Sequence, residues 1–185
     1  MLNTVIPIFS TGAGAAVGDF ESIATVTVGS GGSSTIDFTS IPSTYAHLQI
    51  RCITRNTSTS DTFRLRFNSD SGNNYTRHFL YGDGSSALAA AGTSTSSGAL
   101  GIISTSNDTA SIFSGFVIDI LDYTNTNKYT TFRSIGGFDG NGSGKIGLFS
   151  SVWMNTNAVT SISIFSDSNN QAQYSHFALY GIKSA

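Results

Sequence analysis

From Glu21 onward, apolar and polar residues alternate in short runs separated by clusters of Ser, Gly, Asn and Asp. A period of two is the mark of a strand with one face buried. Ala24, Val26 and Val28 oppose Thr25 and Thr27, and Gly29–Ser34 reads as a turn into a second short strand carrying Ile36 and Phe38. Leu48, Ile50 and Cys52 alternate with Gln49, Arg51 and Ile53, and Phe63, Leu65 and Phe67 with Arg64 and Arg66. Over Tyr75–Tyr81 one face carries Tyr75, Arg77, Phe79 and Tyr81, the other Thr76, His78 and Leu80. Later strands are signalled by Phe116, Ile118 and Ile120, by Ile146, Leu148 and Val152, by Ile162 and Ile164, and by Phe177, Leu179 and Gly181. These residues are β-branched or aromatic and suit a pleated, half-buried surface. Ser85–Thr105 is harder to read: Ala87–Ala91 allows one helical turn, but the surrounding Gly, Ser and Thr favour a long loop or a weak edge strand.

The count comes to roughly eight to eleven strands, about 12 to 16 residues apart, which predicts an all-β fold. The expected architecture is a single antiparallel β-sandwich, jelly-roll-like, over residues 19–185. It is preceded by an apolar N-terminal arm and a Gly/Ala-rich leash over residues 1–18. Leu2, Val5, Ile6, Ile8 and Phe9 make the arm a candidate partner-binding segment, adding a strand to a neighbour or filling its groove. A first strand tucked onto its own domain is the alternative use of the same residues. The arm lacks the basic start of a signal peptide, and Pro7 splits a run too short to span a bilayer.

Composition narrows the function. Charged residues are 11% of the chain, against about 25% in an ordinary soluble protein. With 20 Gly and roughly a quarter Ser plus Thr, its polarity comes from hydroxyls and amides. This excludes a coiled coil and a charged disordered tail. A net charge of −2 provides no field toward nucleic acid or an anionic membrane, so neither is an expected partner. One Cys excludes a disulfide framework and a multi-Cys zinc site.

The motifs that suggest chemistry are incomplete. Gly140–Lys145 resembles a phosphate loop, but Asp139 stands where the first Gly belongs and Ile146 where the Ser or Thr belongs. A hairpin loop fits Asp-Gly and Asn-Gly better. Asp139, Asn141 and Ser143 start like a calcium loop, yet the position of the bidentate Glu holds Ser150. His47, His78 and His176 have no metal-binding spacing, Glu21 is the only Glu, and no GxSxG elbow occurs. Cys52 sits in an apolar alternation and reads as core. No catalytic residue, metal ligand or cofactor is expected, and no enzyme. Arg51, Arg55, Arg64, Arg66 and Arg77 fall within neighbouring strands. If those strands pair, the guanidiniums line one face able to meet carboxylates of a partner protein or an anionic sugar. The alternative is a solvated face paired with Asp37, Asp61 or Asp70.

Four stretches carry a family resemblance: residues 21–32 (ESIATVTVGSGG), 38–51 (FTSIPSTYAHLQIR), 67–75 (FNSDSGNNY) leading to 80–84 (LYGDG), and 174–183 (YSHFALYGIK). Together they resemble a family of small structural proteins of tailed bacteriophages, and the resemblance spans nearly everything after Ser22. It implies a β-sandwich or jelly-roll module displayed on the virion exterior after synthesis in the host cytoplasm. Its relatives include head-decoration and tail-associated components, and it implies no catalytic residues.

On that basis the expected function is a capsid decoration (cement) protein whose partner is the major capsid protein or another virion protein. By analogy with viral jelly rolls, the chain is expected to form a homotrimer. The alternative is a tail-fibre or baseplate module that binds host glycans, with Tyr123, Tyr129 and Trp153 as candidate sugar platforms and a core role as the other reading of Trp153. A jelly-roll glycosidase needs paired carboxylates at a set separation, which this chain's turn-bound aspartates do not suggest.

Overall fold

The computed structural model describes residues 19–183; the arm residues Leu2, Val5, Ile6, Ile8 and Phe9 lie outside them. Among the described residues no helix forms. Twelve strands follow one another: β1 (Phe20–Thr27), β2 (Thr35–Phe38), β3 (His47–Thr54), β4 (Thr62–Phe67), β5 (Tyr75–Gly82), β6 (Ala87–Thr95), β7 (Gly98–Ile102), β8 (Ser114–Leu121), β9 (Thr130–Asp139), β10 (Gly144–Trp153), β11 (Ile162–Phe165) and β12 (His176–Ile182). They make an eight-stranded sheet in the order β1-β12-β3-β8-β9-β10-β5-β6 and a four-stranded sheet in the order β2-β11-β4-β7. Every pairing within them is antiparallel.

The chain crosses between the sheets at nearly every step. Without the hairpins β5–β6 and β9–β10, eight strands remain as β1-β12-β3-β8 facing β2-β11-β4-β7. This is the wrapping of a jelly roll, as the alternation leads one to expect. The two inserted hairpins widen the larger sheet, and β9 and β10 still pack under the smaller one, where Phe132 and Trp153 both meet Phe67. The core lies between the layers, where Leu48, Ile50, Phe63, Leu65, Phe67, Ile118 and Phe132 are all fully buried.

The strands missing from the alternation have physical reasons to be missing. Gly98, Ala99, Leu100 and Gly101 of β7 are all buried, so neither face is polar. In β6 seven of nine residues are exposed, so neither face is buried and no apolar-polar alternation marks it. The loop expected at Gly140–Lys145 is the β9–β10 turn. Asn141 and Gly142 both take positive φ (57° and 101°), and the Gly140 N–H donates to Ser143 O at 2.7 Å, the geometry that Asn-Gly hairpins favour.

Two polar clusters fasten the sandwich. At one corner the Tyr45 ring lies flat on Gly181, where a Cβ would sit 2.3 Å from the ring. The Tyr45 hydroxyl donates to Glu21 Oε2 at 2.9 Å, and Lys183 Nζ donates to Glu21 Oε1 at 2.7 Å. At another, Asp70 Oδ2 accepts from Trp153 Nε1 at 2.7 Å and Asn74 Nδ2 at 2.9 Å. The Lys183 hydrogen bond holds the Glu21 carboxyl below its usual range. Desolvation pushes Asp70 up, but the bonds from Asn74, Trp153 and Gly72 outweigh it and the net shift is downward. Carboxylates depressed on folding add stability that is present above their unfolded pKa and is lost as pH falls through the lowered folded value. The melting temperature is therefore expected to hold from about pH 8 to about pH 5 and to fall below about pH 4. Differential scanning calorimetry across that range tests this; an unchanged melting temperature at low pH contradicts it.

Candidate functional site

The five arginines do not share a face, which corrects the expectation of one basic surface. Consecutive strands enter different sheets, so nearness in sequence does not become nearness in space. Arg51 projects from the outer face of the large sheet, its guanidinium 5.4 Å from the centre of the Phe20 ring. Arg64 and Arg66 project from the outer face of the small sheet. The former grips Asp167 through Nε and Nη2 at 2.5 and 2.6 Å, and the latter lies 4.7 Å from the Phe165 ring centre. Arg55 folds back to donate to the carbonyls of Asp108, Thr109 and Ile112, each at 2.9 Å. Arg77 shares the inward face of β5 with Tyr75, where desolvation and the charge of Arg64 lower its pKa. The expected carboxylates are used elsewhere too: Asp61 pairs with Lys145 and Asp37 accepts from Ser163.

Two of the three candidate sugar platforms are core side chains. Trp153 is buried against Phe67 and Tyr75, and Tyr123 is buried with its hydroxyl donated to Pro42 O. Neither ring has a free face for a ligand. Tyr129 is exposed. The histidines stand apart: His47 accepts from the Asp122 N–H, His176 contacts the Thr27 hydroxyl, and His78 is exposed on β5. Cys52 is buried, and burial pushes its thiol well above the ordinary range. Among the described residues no three His, Cys, Asp or Glu side chains gather as a metal set.

The large sheet's outer face carries the unexpected feature. An antiparallel sheet with one wet face presents polar side chains there. Cross-strand register instead aligns Val117, Ile135, Leu148, Leu80 and Ala89 as direct neighbours across β8, β9, β10, β5 and β6. At about 4.8 Å per strand the stripe runs roughly 19 Å. Ile135 is 54% exposed, Leu80 56% and Leu148 44%. One pleat along lie Gly115, Gly137, Ile146, Gly82 and Ala87, with Ile53 beside Gly115. Ile146 is 66% exposed. Because four of these neighbours carry little or no side chain, this second row is a shallow hollow of about 710 Å³, walled by the β9–β10 turn.

On the far side of the stripe the register turns polar through Gln49, Asp119, Arg133, Ser150 and His78. Gln49 donates to Asp119 at 2.8 Å. An apolar stripe bordered by polar side chains is the composition of a docking surface. Removing one large aliphatic side chain from water is worth about 1.5–3 kcal/mol. Ile53, Leu80, Ile135, Ile146 and Leu148 are already half buried, so about half of that remains for each, and together they reach the order of the entropy cost of associating with another macromolecule. Parity explains why the sequence hid this. The set Ile146, Leu148 and Val152 that signals β10 points outward, while Phe149, Ser151 and Trp153 point into the core. Compared with protein-family models, curated proteins and solved structures, the chain matches none of them.

Proposed function

We propose that this chain is a structural protein of a bacteriophage virion, a capsid decoration (cement) protein that seats the outer face of its large sheet against the major capsid shell. The observation that carries the reading is the part-exposed apolar stripe Val117–Ile135–Leu148–Leu80, which lies ready for another macromolecule. The sequence resemblance supplies the virion setting. Few charges over the molecule as a whole suit a module that packs beside many copies of itself, because crowding then brings little self-repulsion. In this reading the copies gather as homotrimers on the virion exterior, with no cofactor. The tail-associated, glycan-binding alternative retains only Tyr129 of its three platforms, so less supports it.

Adding purified chain to particles that lack it, then imaging them, tests the proposal. Intact protein is expected to appear as many ordered copies on the head. Ile135→Lys with Leu148→Lys is expected to reduce occupancy by about tenfold or more, since two buried ammonium groups would lack partners. Both sites are exposed, so the melting temperature of the free variant should stay within a few degrees. Equal decoration by the variant, or density confined to the tail, overturns the reading.

A further inference from the structure

Among the described residues nothing guards one edge of the large sheet. Strand edges that face solvent are ordinarily protected by Lys, Pro, an inward charge, a bulge or a covering element. β1, the opposite edge, has a bulge between Ser22 and Ala24 and an ion pair from Glu21 to Lys183. β6 has neither charge nor proline, and no residue from Ser85 to Asn107 is charged. Its irregularity falls at the far end, near Thr93 and Ser94, so Ala87–Gly92 pairs without interruption along Gly82–Arg77. That leaves a straight edge of six residues, exposed on both faces apart from half-buried Gly92. Apart from Leu88 its side chains are small, while β5 beside it carries Leu80 on one face and Phe79 and Tyr81 on the other. An incoming strand with large side chains on both faces would close over the alanines and reach those neighbours.

Thr4–Phe9 (TVIPIF) has that character: six uncharged residues, four of them large and apolar besides the proline. The parity of Pro7 fits as well. In a strand, alternate residues direct their N–H and C=O groups to the same side. If Thr4, Ile6 and Ile8 face β6, Pro7 faces away, so its missing N–H costs no ladder bond and blocks any further strand. The length of intervening chain selects the donor. The two edges are seven strand spacings apart, roughly 33 Å. The eleven steps from Phe9 to Phe20 cover about 37 Å fully stretched, so a copy has almost no slack to reach its own β6. A neighbour whose β1 lies beside this edge has ample.

We propose that Thr4–Phe9 of one copy adds as an outer strand to the β6 edge of a neighbouring copy, a head-to-tail contact that closes into a ring. The inference rests on the self-association in the proposed function and not on the virion address. Its test therefore uses purified full-length chain without particles. Native mass spectrometry is expected to show a closed oligomer for the wild type. Single-chain mass is expected for Ile6→Asp with Ile8→Asp and, separately, for Ala90→Lys, both with the wild-type far-ultraviolet spectrum.

The direct readout is a cross-link. Ile6→Cys protein mixed with Leu88→Cys or Ala90→Cys protein should give a disulfide-joined two-chain species that neither partner forms alone. A monomeric wild type, variants that keep the oligomeric mass, or cross-linking that occurs only within one doubly substituted chain overturns the proposal. In each of these cases decoration of particles can still be scored independently, so the two readings fail separately.

Discussion

Trp153→Ala is expected to lower stability by about 3–5 kcal/mol, the usual cost of truncating a fully buried aromatic. Trp153 is 1% exposed, with its ring centroid 5.5 Å from Phe67 and 6.5 Å from Tyr75. Its loss removes that packing and also unties Asp70, whose Oδ2 accepts the indole N–H and whose Oδ1 accepts from Gly72 N at 2.8 Å. The Asp70 turn leads directly into β5, and the Tyr75 hydroxyl accepts from Phe67 N at 3.0 Å. The damage therefore reaches both sheets. For a chain of this size the melting temperature should fall by roughly 10–15 °C, read by calorimetry. Since this is the only Trp, the wild-type fluorescence should also be blue-shifted and shift red on unfolding. A variant as stable as the wild type, with solvent-exposed emission before substitution, would return Trp153 to the role of a sugar platform.

How much of the molecule could be read in advance depended on whether a strand had one wet face and one dry face. β3, β4 and β8 do, and their inward sets Leu48-Ile50-Cys52, Phe63-Leu65-Phe67 and Phe116-Ile118-Ile120 were legible as alternation. β7 is dry on both faces and β6 wet on both, and in β9 Phe132 and Ile135 stand on opposite faces before a pair of glycines; period two disappears in all three. The stretches 38–51, 67–75 and 174–183 hold fold-keeping residues. They supply Tyr45, Gly181 and Lys183 at one corner and Asp70 and Tyr75 at the other. These residues tie strands together and say little about what the sandwich touches. The apolar stripe was illegible for a different reason. Val117, Ile135, Leu148 and Leu80 are far apart in sequence and become neighbours only once the order β8-β9-β10-β5 is known. Only Leu148 stood in a set that signalled a strand, Ile146, Leu148 and Val152, and that set points away from the core.

The glycines under the hollow divide into two kinds, and the division makes the last expected result. Gly137 has no room for a side chain. A Cβ there would sit 1.9 Å from the carbonyl oxygen of Lys145 and 2.8 Å from the Cα of Ile146, both backbone atoms of the partner strand. Backbone cannot rotate aside as a side-chain end can, so Gly137→Ala must part β9 from β10 locally. It is expected to cost about 4 kcal/mol, among the largest effects of a single methyl group. Gly115, on the neighbouring strand of the same row, has no heavy atom within 4 Å of its would-be Cβ. Gly115→Ala is expected to be neutral or to stabilise by up to about 1 kcal/mol, because it removes freedom from the unfolded chain. Gly115→Leu should likewise fold, while filling the hollow beside Ile53 and Ile146. Denaturant titration of Gly137→Ala and Gly115→Leu therefore separates architecture from docking: the first variant loses both stability and attachment to particles, the second attachment alone. If Gly115→Leu attaches as well as the wild type, the hollow is not part of the contact, and the docking surface shrinks to the stripe from Val117 to Leu80.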